Sequence, residues 1–189
     1  MDRLREEAWD RALHADGTAY LFKQRGRFYK ILVTTSTALA LVPAIVVGTV
    51  ALGGLDPRVA VAVMGVVGIP LALLSVWSLA ANWQDRYAAA TQSAGVNQQL
   101  DDAYKQLLAD ATVDEAEFRR RLQVLQTQDG AQRDRDLNQH VTDAEMRRGL
   151  RAALRTRGKE CSTCNLKPTD MKPTDCGVCG EFPRQWWRR

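Results

Sequence analysis

The chain has 189 residues, 46% of them hydrophobic and 25% charged, with a net charge of +4 and two histidines. Averages hide a division, because residues 31–83 hold only two charged side chains, Asp56 and Arg58. What remains is too short for a large independent core, and it contains no P-loop, GxGxxG or GxSxG, so no enzyme is expected.

In chain order, residues 1–30 read as an amphipathic helix with Leu4, Trp9, Leu13 and Tyr20 on its apolar side and an interruption at Gly17. Residues 31–55 and 59–83 follow. They are two uncharged runs of 25 residues separated by Asp56, Pro57 and Arg58. A helix crosses the hydrocarbon core with about 20 residues, so the pair predicts a transmembrane hairpin. Lys23, Arg25, Arg27, Lys30 and Arg86 flank it on one side, which predicts a multi-pass protein with both termini cytoplasmic.

Neither run has an ionisable group near its middle, which argues against a proton relay or ion-coupled transporter. Thr34, Thr37, Ser75, Ser78 and Asn82 gather at the expected inner mouth. They suit either helix-packing hydroxyls or the lining of a pore. Pro43 and Pro70 are expected to kink their helices. Ala40, Ala44 and Gly48, with Gly68 and Ala72, form small-residue stripes that favour self-association. The lipid bilayer and further copies of the chain, a tetramer first among them, are the expected partners. A pore and a plain anchor both remain open.

Residues 84–158 carry helical periodicity. Thr112-Val-Asp-Glu115 reads as a capping box that starts one helix, with a break expected at Gln128-Asp-Gly130, and Thr142-Asp-Ala-Glu145 reads as a second. Residues 130–189 hold 13 basic and 8 acidic groups, against 13 and 14 before them. Arg147, Arg151 and Arg155 are spaced to share a helix face, with Arg148 beside them, and the chain ends in Trp186, Trp187, Arg188 and Arg189. Phosphates of a nucleotide or nucleic acid, an anionic leaflet, or bulk water would each suit these groups.

Residues 159–189 hold every cysteine: Cys161-x2-Cys164, eleven residues, then Cys176-x2-Cys179. Two such knuckles suit one structural, tetrathiolate zinc ion per chain, with an iron–sulfur site or a redox pair as the alternative. Gly177 and Gly180 are expected to supply backbone freedom in the second knuckle.

The expected fold is therefore all-α, with an N-terminal helix, a two-helix membrane hairpin, cytosolic helices and a small zinc module. That order of parts resembles the SLATT two-transmembrane effectors, and Cys161 to Gly180 is similar to mobile-element proteins defined by CxxC-x11-CxxC. The resemblance implies a pore-forming antiphage effector in a bacterial inner membrane. It also implies control by a nucleotide or oligonucleotide second messenger made by a partner synthase, as in the Hailong type. The alternative is a membrane-anchored, zinc-containing nucleic-acid-binding or adaptor protein without channel activity.

Overall fold

The computed structural model describes residues 1–51, 53 and 56–184. Among them the chain forms seven α-helices and no strand. These are α1 (Asp2–Ala40), α2 (Val42–Ala51), α3 (Pro57–Val63), α4 (Ile69–Ala80), α5 (Trp83–Ala109), α6 (Glu115–Leu137) and α7 (Asp143–Arg157), with a π-helical turn, Met64–Gly68, between α3 and α4. The helices belong to two compact units, one of Met1–Gln24 with Ala90–Arg189 and one of Arg25–Ala89.

The second unit corrects the membrane hairpin. Residues 31–55 do not form one helix: α1 carries the charged N-terminal stretch and stops at Ala40, and Leu41 N–H donates to Ala38 O, only three residues back, at 3.2 Å. Pro43, which has no N–H to give, follows at the start of α2, which is only 10 residues long. Residues 59–83 are broken twice. Pro70 lies next to a π-helical turn, a common answer to a proline that removes a donor and crowds the preceding turn. Asn82 then adopts a left-handed conformation (φ 49°) that ends the apolar stretch before Trp83. The longest of the resulting uncharged helices, α4, has 12 residues, where about 20 are needed to cross a bilayer. Among the described residues no helix is long and apolar enough to cross a membrane. The multi-pass, inner-membrane placement is accordingly withdrawn, and the predicted orientation of the termini goes with it.

The first unit has the core. Ala8, Ala12 and Ala15 of α1 pack with Leu100, Tyr104 and Leu107 of α5 and Phe118 and Leu122 of α6. The most deeply buried side of α1 is thus mostly alanine, at i, i+4 and i+7, while the expected Leu4, Trp9, Leu13 and Tyr20 are half-buried, Leu4 against this core and Leu13 against the cluster of Leu154. Gly17 does not interrupt α1. A Cβ on Gly149 of α7 would lie 2.4 Å from the Gly17 carbonyl oxygen, so α1 and α7 cross backbone against backbone at this glycine pair. The helices α5 and α6 also run unbroken through Gly95 and Gly130.

The two capping boxes fare differently. Thr142 and Glu145 form theirs, with Thr142 N–H donating to Glu145 Oε2 at 3.0 Å. The α6 cap is Asp114, two residues later than expected, and it accepts from Glu117 N–H at 2.8 Å. Thr112 is held instead by Asp110, through its N–H at 3.2 Å and its hydroxyl at 2.7 Å. Aspartate competes well with threonine as a cap, and Asp110 removes the threonine from the contest.

Tyr104 is fully buried, and its hydroxyl has no hydrogen-bond partner. Burial first, and then the nearby charge of Asp129, push its pKa up to about 12. Replacing Tyr104 by phenylalanine removes a polar group that folding strips of water, so stability at pH 7 is expected to rise by about 1 kcal/mol. The unfolded tyrosine ionises near pH 10 and the folded one only near 12. Wild-type stability is therefore present below pH 10 and falls as pH rises toward 12, and the phenylalanine variant lacks that contribution to the fall. Urea titrations at pH 7 and between pH 9 and 12 measure both effects.

Candidate metal centre

Helix α7 positions the cysteines. Its buried side includes Ala152, Ala153 and Leu154, and Leu154 clusters with Cys161 and Cys179 beside Leu13 and Leu150. Gly158 takes a left-handed conformation (φ 61°) and donates its N–H to the Arg155 and Leu154 carbonyls, ending the helix and turning the chain into the first knuckle. There Asn165 N–H donates to Cys161 O at 2.8 Å and Cys161 N–H to Leu166 O at 3.0 Å. In the second knuckle Gly180 N–H and Glu181 N–H both donate to Cys176 O, at 2.8 and 3.0 Å.

The knuckle glycines serve a different purpose from the one expected. Neither Gly177 nor Gly180 has positive φ; Asn165 of the first knuckle does, at 54°. Gly180 is needed for space, since a Cβ there would come within 2.0 Å of Thr174 Oγ1. Gly177 faces open space.

The knuckles bring the four cysteines together, with all their sulfurs within 4.8 Å of one another and no disulfide among them. Cys164 and Cys179 have their sulfurs 3.8 Å apart. A tetrahedron with metal–sulfur bonds of about 2.3 Å has sulfur–sulfur edges of about 3.8 Å, so the donor set and spacing fit a structural metal. The thiols also differ electrically. Backbone N–H groups of Cys179 and Val178 hold Cys176 down to about 7, whereas burial and the neighbouring sulfurs raise Cys179. Four thiolates this close repel one another, and a bound cation is what allows all of them to ionise.

The arginines expected to face a ligand are partly committed to this centre. Arg151, 6% exposed, donates through Nε to Asp170 O at 3.0 Å and through Nη1 to Cys179 O at 3.5 Å, joining the linker to the second knuckle. Arg147 pairs with Glu181 at 2.8 Å. Arg148 lies over the Phe182 ring, 5.9 Å from its centroid, and its Nε and Nη1 are buried without a partner. Arg155 is exposed. Trp186, Trp187, Arg188 and Arg189 lie outside the described residues.

Of the expected pore residues, Thr34 and Thr37 are exposed on α1, and Thr37 donates to Val33 O at 2.8 Å, a helix-internal bond. Ser75 and Ser78 are carried by α4, their side chains outside the described part of the structure, and Asn82 is exposed in the turn after it. His14 keeps an exposed edge, and partial desolvation by the groups packed round it, with Arg133 next, lowers its pKa, while Asp10 and Asp129 oppose the shift.

Sequence spacing does not single out Arg157. It pairs with Asp16 at 3.2 Å and with fully buried Asp101, donates to Ala12 O at 3.0 Å, and lies 4.9 Å from the Trp9 ring centroid. It thereby ties the end of α7 to α1 and α5.

The sequence profile of a family described as mobilome CxxCx(11)CxxC protein matches residues 5–182. No curated protein and no solved structure matches the chain.

Proposed function

The chain belongs to the mobilome CxxCx(11)CxxC family, and on that footing we propose that it is a non-enzymatic zinc protein that binds nucleic acid. Zinc suits four thiolates in a closed tetrahedral set, which leaves no open position for a substrate. Cys161, Cys164, Cys176 and Cys179 would hold one ion per chain. The pore reading drawn from the SLATT resemblance needs two membrane spans and is not carried forward.

The supporting observation is the charge left over once ion pairs are assigned. Arg147, Arg151 and Arg157 are spent on internal contacts. Arg155, Lys159 and Lys167 are exposed, with no carboxylate paired to them among the described residues. They gather where α7 passes into the first knuckle: Lys167 Nζ lies 3.1 Å from the place a Cβ on Gly158 would occupy, and Lys159 lies 5.0 Å from the Trp9 ring centroid. Glu160 is the only acid between residues 155 and 167. Phosphate binding of this kind depends on counterion release and so on salt.

Replacing Arg155, Lys159 and Lys167 together with glutamine is expected to weaken binding of a short single-stranded oligonucleotide. The slope of log affinity against log salt should become shallower by about 2, at roughly 0.7 for each phosphate no longer neutralised. Fluorescence anisotropy across a salt series measures it. An unchanged slope would show that these three cations do not meet the phosphates.

A further inference from the structure

Residues 25–89 form a compact unit whose described large apolar side chains are mostly exposed. Among the described residues the buried hydrophobic positions stop at Phe22 and resume at Ala90. In the unit itself Leu41, Ile45, Val61, Val66, Leu73 and Trp77 are 59% to 76% exposed. Five further large apolar side chains, at Ile31, Val47, Val59, Ile69 and Val76, are at least 49% exposed. At roughly 100 Å² each, these side chains expose on the order of 1,000 Å². Their summed area exceeds the roughly 800 Å² per partner that a stable dimer buries.

The chemistry of the face selects its occupant. Between Ile31 and Trp83 the charged groups are Asp56 and Arg58, and Asp56 already accepts from the Arg58 backbone N–H at 2.7 Å. A face without charge gives a different protein nothing to recognise electrostatically. It fits another face as apolar as itself, and an identical one is always present at the chain's own concentration. Glycine geometry agrees: among the described residues a Cβ on Gly48 or Gly65 would meet nothing within 4 Å, which leaves room beside those backbones for an approaching helix.

We propose that residues 25–89 are an interface between copies of this chain, with the apolar sides of α2, α3 and α4 packed on those of a second copy. The proposal does not depend on the metal or on nucleic acid.

Light scattering on the full-length, metal-loaded protein after size exclusion tests it. The expected mass is a multiple of 21.1 kDa, and Val61→Glu with Val66→Glu should return the single-chain mass. Both positions are exposed, so metal content and circular dichroism should stay unchanged, which separates lost association from misfolding. A photo-crosslinking residue placed at Leu73 should yield chain-to-chain adducts, also when phosphatidylglycerol vesicles are present. A single-chain mass for the wild type at micromolar concentration would overturn the proposal, and so would crosslinks only to lipid or to a different protein.

Discussion

Replacing Cys179 with serine is expected to abolish metal binding and to lower the melting temperature by more than about 10 °C. Cys179 is 1% exposed and belongs to the cluster that joins both knuckles to Leu154 of α7. A serine hydroxyl neither ionises at neutral pH nor supplies the soft donor that a tetrathiolate site needs. Structural zinc is worth about 10 kcal/mol or more in small domains that fold around it. Here the helical core has contacts of its own, so a loss of about 5 kcal/mol is the reasonable scale, and each kcal/mol moves the midpoint of a chain this size by about 2–4 °C. A chelator should bring the wild type to the midpoint of the variant and leave the variant unmoved. Calorimetry with elemental analysis measures both, and a variant that keeps one equivalent of metal would contradict the assignment.

Arg157→Ala should be nearly as damaging, at about 3–5 kcal/mol, through a different cause. The side chain of Asp101 is 0% exposed and that of Arg157 is 6% exposed, so the pair lies out of water. Breaking a buried pair from one side leaves the other charge stranded, with desolvation still to be met. Lys105 stays beside Asp101 and softens the loss. Arg157→Lys should restore little, because a single ammonium cannot reproduce the fork that reaches Asp16, Asp101 and the Ala12 carbonyl at once. The cysteines do not touch Arg157, so metal stoichiometry should stay at one while the urea midpoint drops. A loss under about 1 kcal/mol would show that this end of α7 is held by apolar packing alone.

What the sequence reveals depends on how local the cause is. The cysteine quartet and the Thr142–Glu145 box are legible because their spacing is the mechanism, and both are found. The apolar runs at 31–55 and 59–83 show which residues are hydrophobic but not where the backbone stops being α-helical. That is decided by Pro43, by the π-helical turn before Pro70, and by Asn82. The core of the first unit is hard to see because α1 contributes alanines, whose small size matters only where α5 and α6 come close. The arginine face on α7 is geometrically correct in its spacing. Its meaning changes because Glu181 and Asp170, far along the chain, are folded back onto Arg147 and Arg151. Of the exposed cations left on this part of the chain, Arg155 lies on α7 while Lys159 and Lys167 bracket the first knuckle, so the fold of the cysteine module determines where those two sit.

If the metal organises a nucleic-acid-binding surface, the two events must be linked. The most direct test is to titrate zinc into the metal-free chain while following single-stranded oligonucleotide binding at fixed, low salt. Affinity should rise in step with zinc and level off at one equivalent per chain, with no rise in a Cys161→Ser variant. Equal affinity for the metal-free and the zinc-loaded chain would contradict that linkage.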